Sequence, residues 1–221
     1  MYFSKITLKP TANRAEYAQT VCNNTYKEHQ VLWKLFNDNP DAKRDFIYRY
    51  EPQQNTPAYY IVSERKPVDN DYLWDIQSKA YEPVLVSGLQ FAFMLRVNPV
   101  VTKNGQRHDV VMHEKRRIDY KNMDKNKRPT TQELVEKAGR EWLLKRSETG
   151  GFSFDDSSVR IDGYQPNTSG RKRGKKEIRY NTMDFRGILT VTDAEKFSNT
   201  LMQGLGKAKA FGCGFMLIRR A

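Results

Sequence analysis

The chain has 221 residues, of which 38 are Lys or Arg and 26 are Asp or Glu, giving a formal charge of +12 at neutral pH. That length accommodates one large domain or two of about 100 residues each, and the charge points to a polyanionic partner, nucleic acid first. Apolar runs such as Leu89 to Leu95 are too short to cross a bilayer, no amphipathic basic helix suits a membrane surface, and Met1-Tyr2-Phe3-Ser4-Lys5 lacks the apolar core of an export signal. Cys22 and Cys213 sit in no Cys-x-x-Cys spacing, which argues against a disulfide framework or zinc ribbon and favours the reducing cytoplasm.

Tyr2 to Leu8 alternates apolar and polar residues as a half-buried strand does, and Pro10 ends it. A helical stretch follows from about Arg14 to Phe36, with a break near Asn23-Asn24. Phe46 to Tyr50 and Tyr59 to Ser63 are short strands across a Pro/Gln/Asn turn. This βαββ order starts a ferredoxin-like unit, whose second helix is expected in the weakly periodic stretch Val68 to Tyr81. Leu89 to Val97, closed by Asn98-Pro99, opens the second half. Residues 102–128 carry nine basic and four acidic side chains and read as a long hairpin or mobile loop. Thr130 to Arg146 is a helix with Leu134, Ala138, Trp142 and Arg146 on one stripe. Strands near Val159 to Tyr164 and Asp184 to Val191 come next, then a helix from Asp193 to Gln203 stopped by Gly204, and a last strand from Phe215 to Ile218. The sum is an α+β protein of tandem ferredoxin-like (βαββαβ) domains, residues 1–87 and 88–221, with a C-terminal glycine-rich loop.

That loop holds two Gly-x-Gly pairs, Gly204 with Gly206 and Gly212 with Gly214, around Lys207 and Lys209. Its glycines permit tight turns with amides and ammonium groups facing an anion, although glycines before a last strand are as often purely structural. Ala208 stands where a nucleotide P-loop needs a hydroxyl, and no third glycine completes a dinucleotide fingerprint.

Thr25-Tyr26-Lys27-Glu28 has the pattern of a capping box, with Thr25 as N-cap of a helix to Phe36. Tyr26, His29 and Trp33 then share one face at the end of the helix where anions are favoured, while Leu32, Leu35 and Phe36 form the buried stripe. A histidine on an amphipathic helix is nonetheless more often a surface or core residue than a catalyst. His108 and His113 have no cysteine or carboxylate pattern of a zinc site, and the acids are scattered rather than clustered as metal-dependent cleavage requires, so neither metal nor cofactor is expected. The run Arg171-Lys172-Arg173-Gly174-Lys175-Lys176, extended by Arg179, reads as a basic hairpin tip and phosphate clamp, the alternative being a solvated loop.

Together these pieces resemble the CasE-type CRISPR-associated endoribonucleases, the repeat-RNA processing subunits of the subtype I-E Cascade complex. The resemblance spans nearly the whole chain. It rests on the opening Met1-Tyr2-Phe3-Ser4-Lys5, on Tyr26-x-x-His29 with Leu32-Trp33-x-Leu35-Phe36, and on Phe93-x-Leu95-Arg96-x-Asn98-Pro99. It continues in Phe185-x-Gly187-x-Leu189-Thr190-Val191 and the glycine loop with Lys209. It implies two ferredoxin-like domains that bind the hairpin of a CRISPR repeat and cut at the 3′ base of its stem without metal, with His29 and Tyr26 at the catalytic positions and other Cascade subunits as partners.

Such chemistry is available to RNA because its own 2′-hydroxyl can attack the neighbouring phosphorus, leaving a 2′,3′-cyclic phosphate. His29 is then general base or acid, with Tyr26 as its partner. Arg160, Arg171, Lys172, Arg173, Lys175, Lys176 and Arg179 are expected on the RNA stem, and Lys207 and Lys209 near the glycine loop. Two rival classes stay open on the residues, a non-catalytic RNA-binding subunit and a metal-dependent nuclease. Against the simplest RNA-recognition module stands the lack of an aromatic-rich strand for stacking single-stranded bases.

Overall fold

A computed structural model describes residues 1–12, 25–36, 44–52, 58–70, 72–169 and 177–221, with the side chains of residues 25 and 26 left out. Two antiparallel sheets organise the chain. The first contains β1 (Tyr2–Leu8), β2 (Phe46–Glu51), β3 (Ala58–Ser63) and β4 (Trp74–Ala80) in the order β2-β3-β1-β4. Alternation in β1 puts Ser4, Ile6 and Leu8 inside. Ile6 and Leu8 pack with Tyr48, Tyr59, Ile61 and Trp74 against Leu32, Leu35 and Phe36. The last three come from α1 (Thr25–Trp33) and the 3₁₀ turn that follows it.

The helix expected between Val68 and Tyr81 does not form: Trp74–Ala80 is an edge strand instead, paired along β1 from Leu8↔Trp74 to Tyr2↔Ala80. The reason is local. The Asp69 carboxylate accepts the amides of Leu73 (3.2 Å) and Trp74 (2.8 Å) while pairing with Lys9 Nζ at 3.2 Å, so it ties an extended crossover to the start of the strand.

The second sheet is built on β5 (Gln90–Val97) and the long β10 (Ile178–Val191), with β11 (Met216–Arg220) outside β5 and both β8 (Phe152–Phe154) and β9 (Arg160–Ser169) along the far side of β10. Between β5 and β8 lie β6 (Val100–Lys103), β7 (Gln106–Asp109), α2 (Val110–Arg117) and α3 (Thr131–Gly150), and α4 (Ala194–Gln203) precedes β11. The helix expected from Thr130 forms as α3, and Thr130 caps it in a capping box through the Glu133 amide and carboxylate. Leu134, Ala138 and Trp142 of α3 and Phe197 and Leu201 of α4 are buried on Phe93, Leu95, Phe185 and Leu189. Each large side chain so buried contributes about 1.5–3 kcal/mol. Both sheets therefore show the strand order of the ferredoxin-like fold, and α1 is the helix described in the first unit.

Residues 102–128 are neither a single long hairpin nor a mobile loop. A tight Asn104-Gly105 turn, with φ of 51° and 72°, joins β6 to β7. Asp109 then caps α2 through the Met112 amide. Buried Glu114 clamps α2 to α3 by pairing with Arg117 at 2.6 Å and Lys137 at 3.1 Å, which holds its carboxyl down at about 2. The second face of the Asp109 carboxylate accepts from Tyr164 Oη and Asn181 Nδ2, so the insertion is also tied to β9 and β10.

The two sheets meet through the helix-free face of the first. Ile47, Val62 and Phe215 are buried together, with Phe3, Tyr60, Tyr81 and Leu217 packed around them. No helix among the described residues is long and apolar enough to cross a membrane.

Candidate active site

Thr25 already lies within α1, whereas a cap would stand just outside the helix. Glu28 does not close a capping box either. Its carboxyl turns inward to a hydrogen bond with Tyr59, and burial pushes its pKa up to about 7, whereas a capping carboxylate would be held low. His29 and Trp33 do share a face: their rings meet edge to face at 5.7 Å, and Phe46 of β2 lies 5.8 Å from the imidazole. Tyr26 stands one turn before His29 on α1, and its side chain lies outside the described residues.

The imidazole is half-buried, and its Nδ1 is shut off from solvent with no hydrogen-bond partner among the described residues. Burial first, and the nearby Arg44 guanidinium second, lower its pKa to about 4, so the ring is neutral at physiological pH. Arg44 was not foreseen, since a single arginine before a strand carries no sequence signal. It also acts with burial and Lys207 to hold the Lys209 ammonium below its usual range. Arg44 thus links the neutral histidine to a cationic group that includes Lys209 and Lys207.

Lys209 reaches this place because the glycine loop folds back on the first sheet. Residues Lys209–Phe211 form a 3₁₀ turn that packs on α1 and β2, and Tyr48 Oη donates to the Ala210 carbonyl at 3.2 Å. Several amides of the loop turn inward rather than outward. Gly204 N donates to Thr200 O, Leu205 N to Gly214 O and Gly214 N to Arg96 O, so these donors are spent on holding the loop together. A Cβ on Gly204 would lie 2.8 Å from Gly214 O, and one on Gly214 2.5 Å from Leu205 O, each at positive φ. Gly206 and Gly212 also have positive φ. What the loop offers a ligand is its lysines. The bed beneath it is the β5 motif: Arg96 pairs bidentately with Asp184 at 2.8 and 2.9 Å, and Asn98 bridges the Lys207 backbone.

Beyond the sheet, β9 and β10 continue as a two-stranded ribbon that ends with Ile178 paired to Ser169. Arg171, Lys172, Arg173, Lys175 and Lys176 lie in the connection between those two residues, outside the described residues. Arg179 is exposed at the ribbon's end. Arg160 is not with them: it opens β9 opposite Arg186, about 30 Å of strand from Ser169. Cys213 is buried, and its thiol is pushed up to about 12, while Cys22 lies outside the described residues.

A family model described as "CRISPR associated protein" matches residues 1–220. The chain is 30% identical over 219 residues to the "CRISPR system Cascade subunit CasE" of Escherichia coli (strain K12), covering 98% of both chains. It is 25% identical to the "CRISPR-associated endoribonuclease Cse3" of Thermus thermophilus, covering 99% of both. The fold is similar to that of a solved CRISPR endoribonuclease Cse3 bound to a 19-nucleotide RNA, with TM-score 0.73 and 22% identity over 99% of this chain and all of the other.

Proposed function

Because the chain belongs to the CRISPR associated protein family, we propose that it is a metal-independent endoribonuclease that binds the stem-loop of CRISPR repeat RNA and cuts at the 3′ base of the stem. The observation that carries this reading is the neutral His29 imidazole on the helical face of the first sheet, beside Arg44 and on the helix against which the turn carrying Lys209 packs. With Nδ1 enclosed, Nε2 is the nitrogen left to accept the proton of the attacking 2′-hydroxyl. Phosphate binding then raises the imidazole's proton affinity through its negative charge, so the free enzyme is poised as a base rather than an acid. Lys209 and Arg44 neutralise the charge that builds on the phosphorane oxygens, and Tyr26, one turn away, serves as donor or positioning group. The products are a 2′,3′-cyclic phosphate and a 5′-hydroxyl, the cyclic end remaining on the mature crRNA.

The ribbon connection with its five basic residues and Arg179 holds the stem phosphates, and Lys207 and Lys209 hold those nearest the cut. Arg160 and Arg186 form a separate cationic spot at the other end of β9. The two domains divide at residues 87 and 88, and the protein works in the cytoplasm with other Cascade subunits.

Incubating the protein with a labelled repeat hairpin in excess EDTA tests the reading. Cutting to a cyclic phosphate supports it, whereas binding without cutting identifies a non-catalytic RNA-binding subunit and rescue by magnesium a metal-dependent nuclease. His29→Ala is expected to slow cleavage by about a hundredfold or more while hairpin affinity stays within a few-fold. Unchanged cleavage removes His29 from the chemistry.

A further inference from the structure

The turn that brings Lys209 to α1 has a second side. Its last residue, Phe211, stacks on Tyr180 of the β9–β10 ribbon, ring centroids 5.2 Å apart and planes 19° from parallel. Both rings are only partly buried, and both line a groove of about 560 Å³ whose walls include Asn98, Arg107, Arg179 and Lys207. Arg107 comes from the β6–β7 insertion, Arg179 from the ribbon and Lys207 from the glycine loop, so three separate elements place cations around one aromatic pair. All three cations are exposed. The Asp109 carboxylate in the same wall offsets one of the three cations and leaves the wall net positive, and its oxygens accept from Met112 N, Tyr164 Oη and Asn181 Nδ2.

An aromatic face ringed by cations is the chemistry that takes an unpaired nucleotide: the base covers the rings, the phosphates meet the cations, and an amide such as that of Asn98 can pair with a base edge. A bare phosphate would leave the rings unused. The platform is assembled from two residues that are 31 positions apart in sequence, Tyr180 and Phe211. Resting on the reading of the site as a nuclease for repeat stem-loops, we infer that this groove binds the unpaired nucleotide at the foot of the stem, stacked on Tyr180 and Phe211 across the Lys209–Phe211 turn from His29. Binding there anchors the strand where it leaves the duplex and sets the register of the cut.

The test uses the full-length protein and repeat RNA made uncleavable by a 2′-deoxy at the scissile position. Affinity is measured for the stem-loop alone, for the stem-loop with one added nucleotide on the 5′ or on the 3′ side, and for the same RNAs with an abasic residue there. The flanking base on one of the two sides should tighten binding by about tenfold, the abasic residue should erase that gain, and the side that responds identifies the strand. A 2-aminopurine at that position should be quenched on binding. Phe211→Leu should abolish both the gain and the quenching. A stem-loop that binds wild-type protein equally well with either base, with neither, or with abasic residues overturns the groove assignment alone. A protein indifferent to the stem as well would sink the underlying reading and the groove with it.

Discussion

Glu28 and His29 are neighbours on α1 with opposite titration behaviour, and replacing Glu28 by Gln should uncover it. The Glu28 carboxyl moves from 4.5 to about 7 on folding, chiefly by burial. Between those values the folded chain holds a proton that the unfolded chain has lost, so stability falls as pH rises. At about 1.4 kcal/mol per pH unit, the penalty above pH 7 amounts to about 3 kcal/mol. His29 moves the other way, from 6.5 to about 4, and contributes a similar amount that is present above 6.5 and lost as pH falls toward 4. From 4.5 to 6.5 the two slopes cancel. Glu28→Gln keeps the shape and a hydrogen bond to Tyr59 but has no charge to desolvate. In urea unfolding it should match the wild type at pH 4.5 and exceed it at pH 8 by about 3 kcal/mol, a midpoint shift of more than about 1 M. Between those pH values the variant should show the rising slope of His29 alone. An equal midpoint difference at both pH values would refute the buried-carboxylate account.

Two further outcomes follow from the geometry of the glycine loop. Replacing Arg44 and Lys209 together by Gln should weaken repeat-RNA binding and reduce the slope of log Kd against log salt by about 1–2, as lost phosphate contacts release fewer counterions; a slope equal to the wild type's would show that neither cation meets a phosphate. Gly214→Ala places a methyl 2.5 Å from Leu205 O at φ +90°, and should lower stability by about 2 kcal/mol or more. An unaltered Tm for that variant would mean the loop yields more readily than its packing indicates.

What was legible in the sequence was whatever depended on local periodicity and punctuation. Alternation in β1, the start of α3 and the Gly204 stop each act within a few residues, and each element lies where its residues place it. The mistaken helix at Val68 to Tyr81 came from expecting the full ferredoxin-like order, whereas the Asp69 carboxylate holds an extended crossover by bonding the Leu73 and Trp74 amides. Asn104-Gly105 was a hairpin signal that was passed over beneath the charge of residues 102–128. At the site, Tyr26-x-x-His29 could be singled out by helical spacing. The inward turn of Glu28 could not, because a capping-box pattern and a buried carboxylate look alike until Tyr59 is placed opposite. Lys209 was singled out by its glycine loop, but its approach to α1, like Arg44 and the Tyr180–Phe211 stack, depends on tertiary closure, which no window of sequence contains.

The hydrogen bond from Tyr48 to Ala210, made across 162 positions of chain, means that on the proposed reading neither half owns the whole cleavage surface. Severing the polypeptide near residue 87 would leave one fragment with the imidazole and another with its ammonium, each inert by itself. Activity should return only when the fragments reassociate, so its recovery on mixing would report the strength of their union.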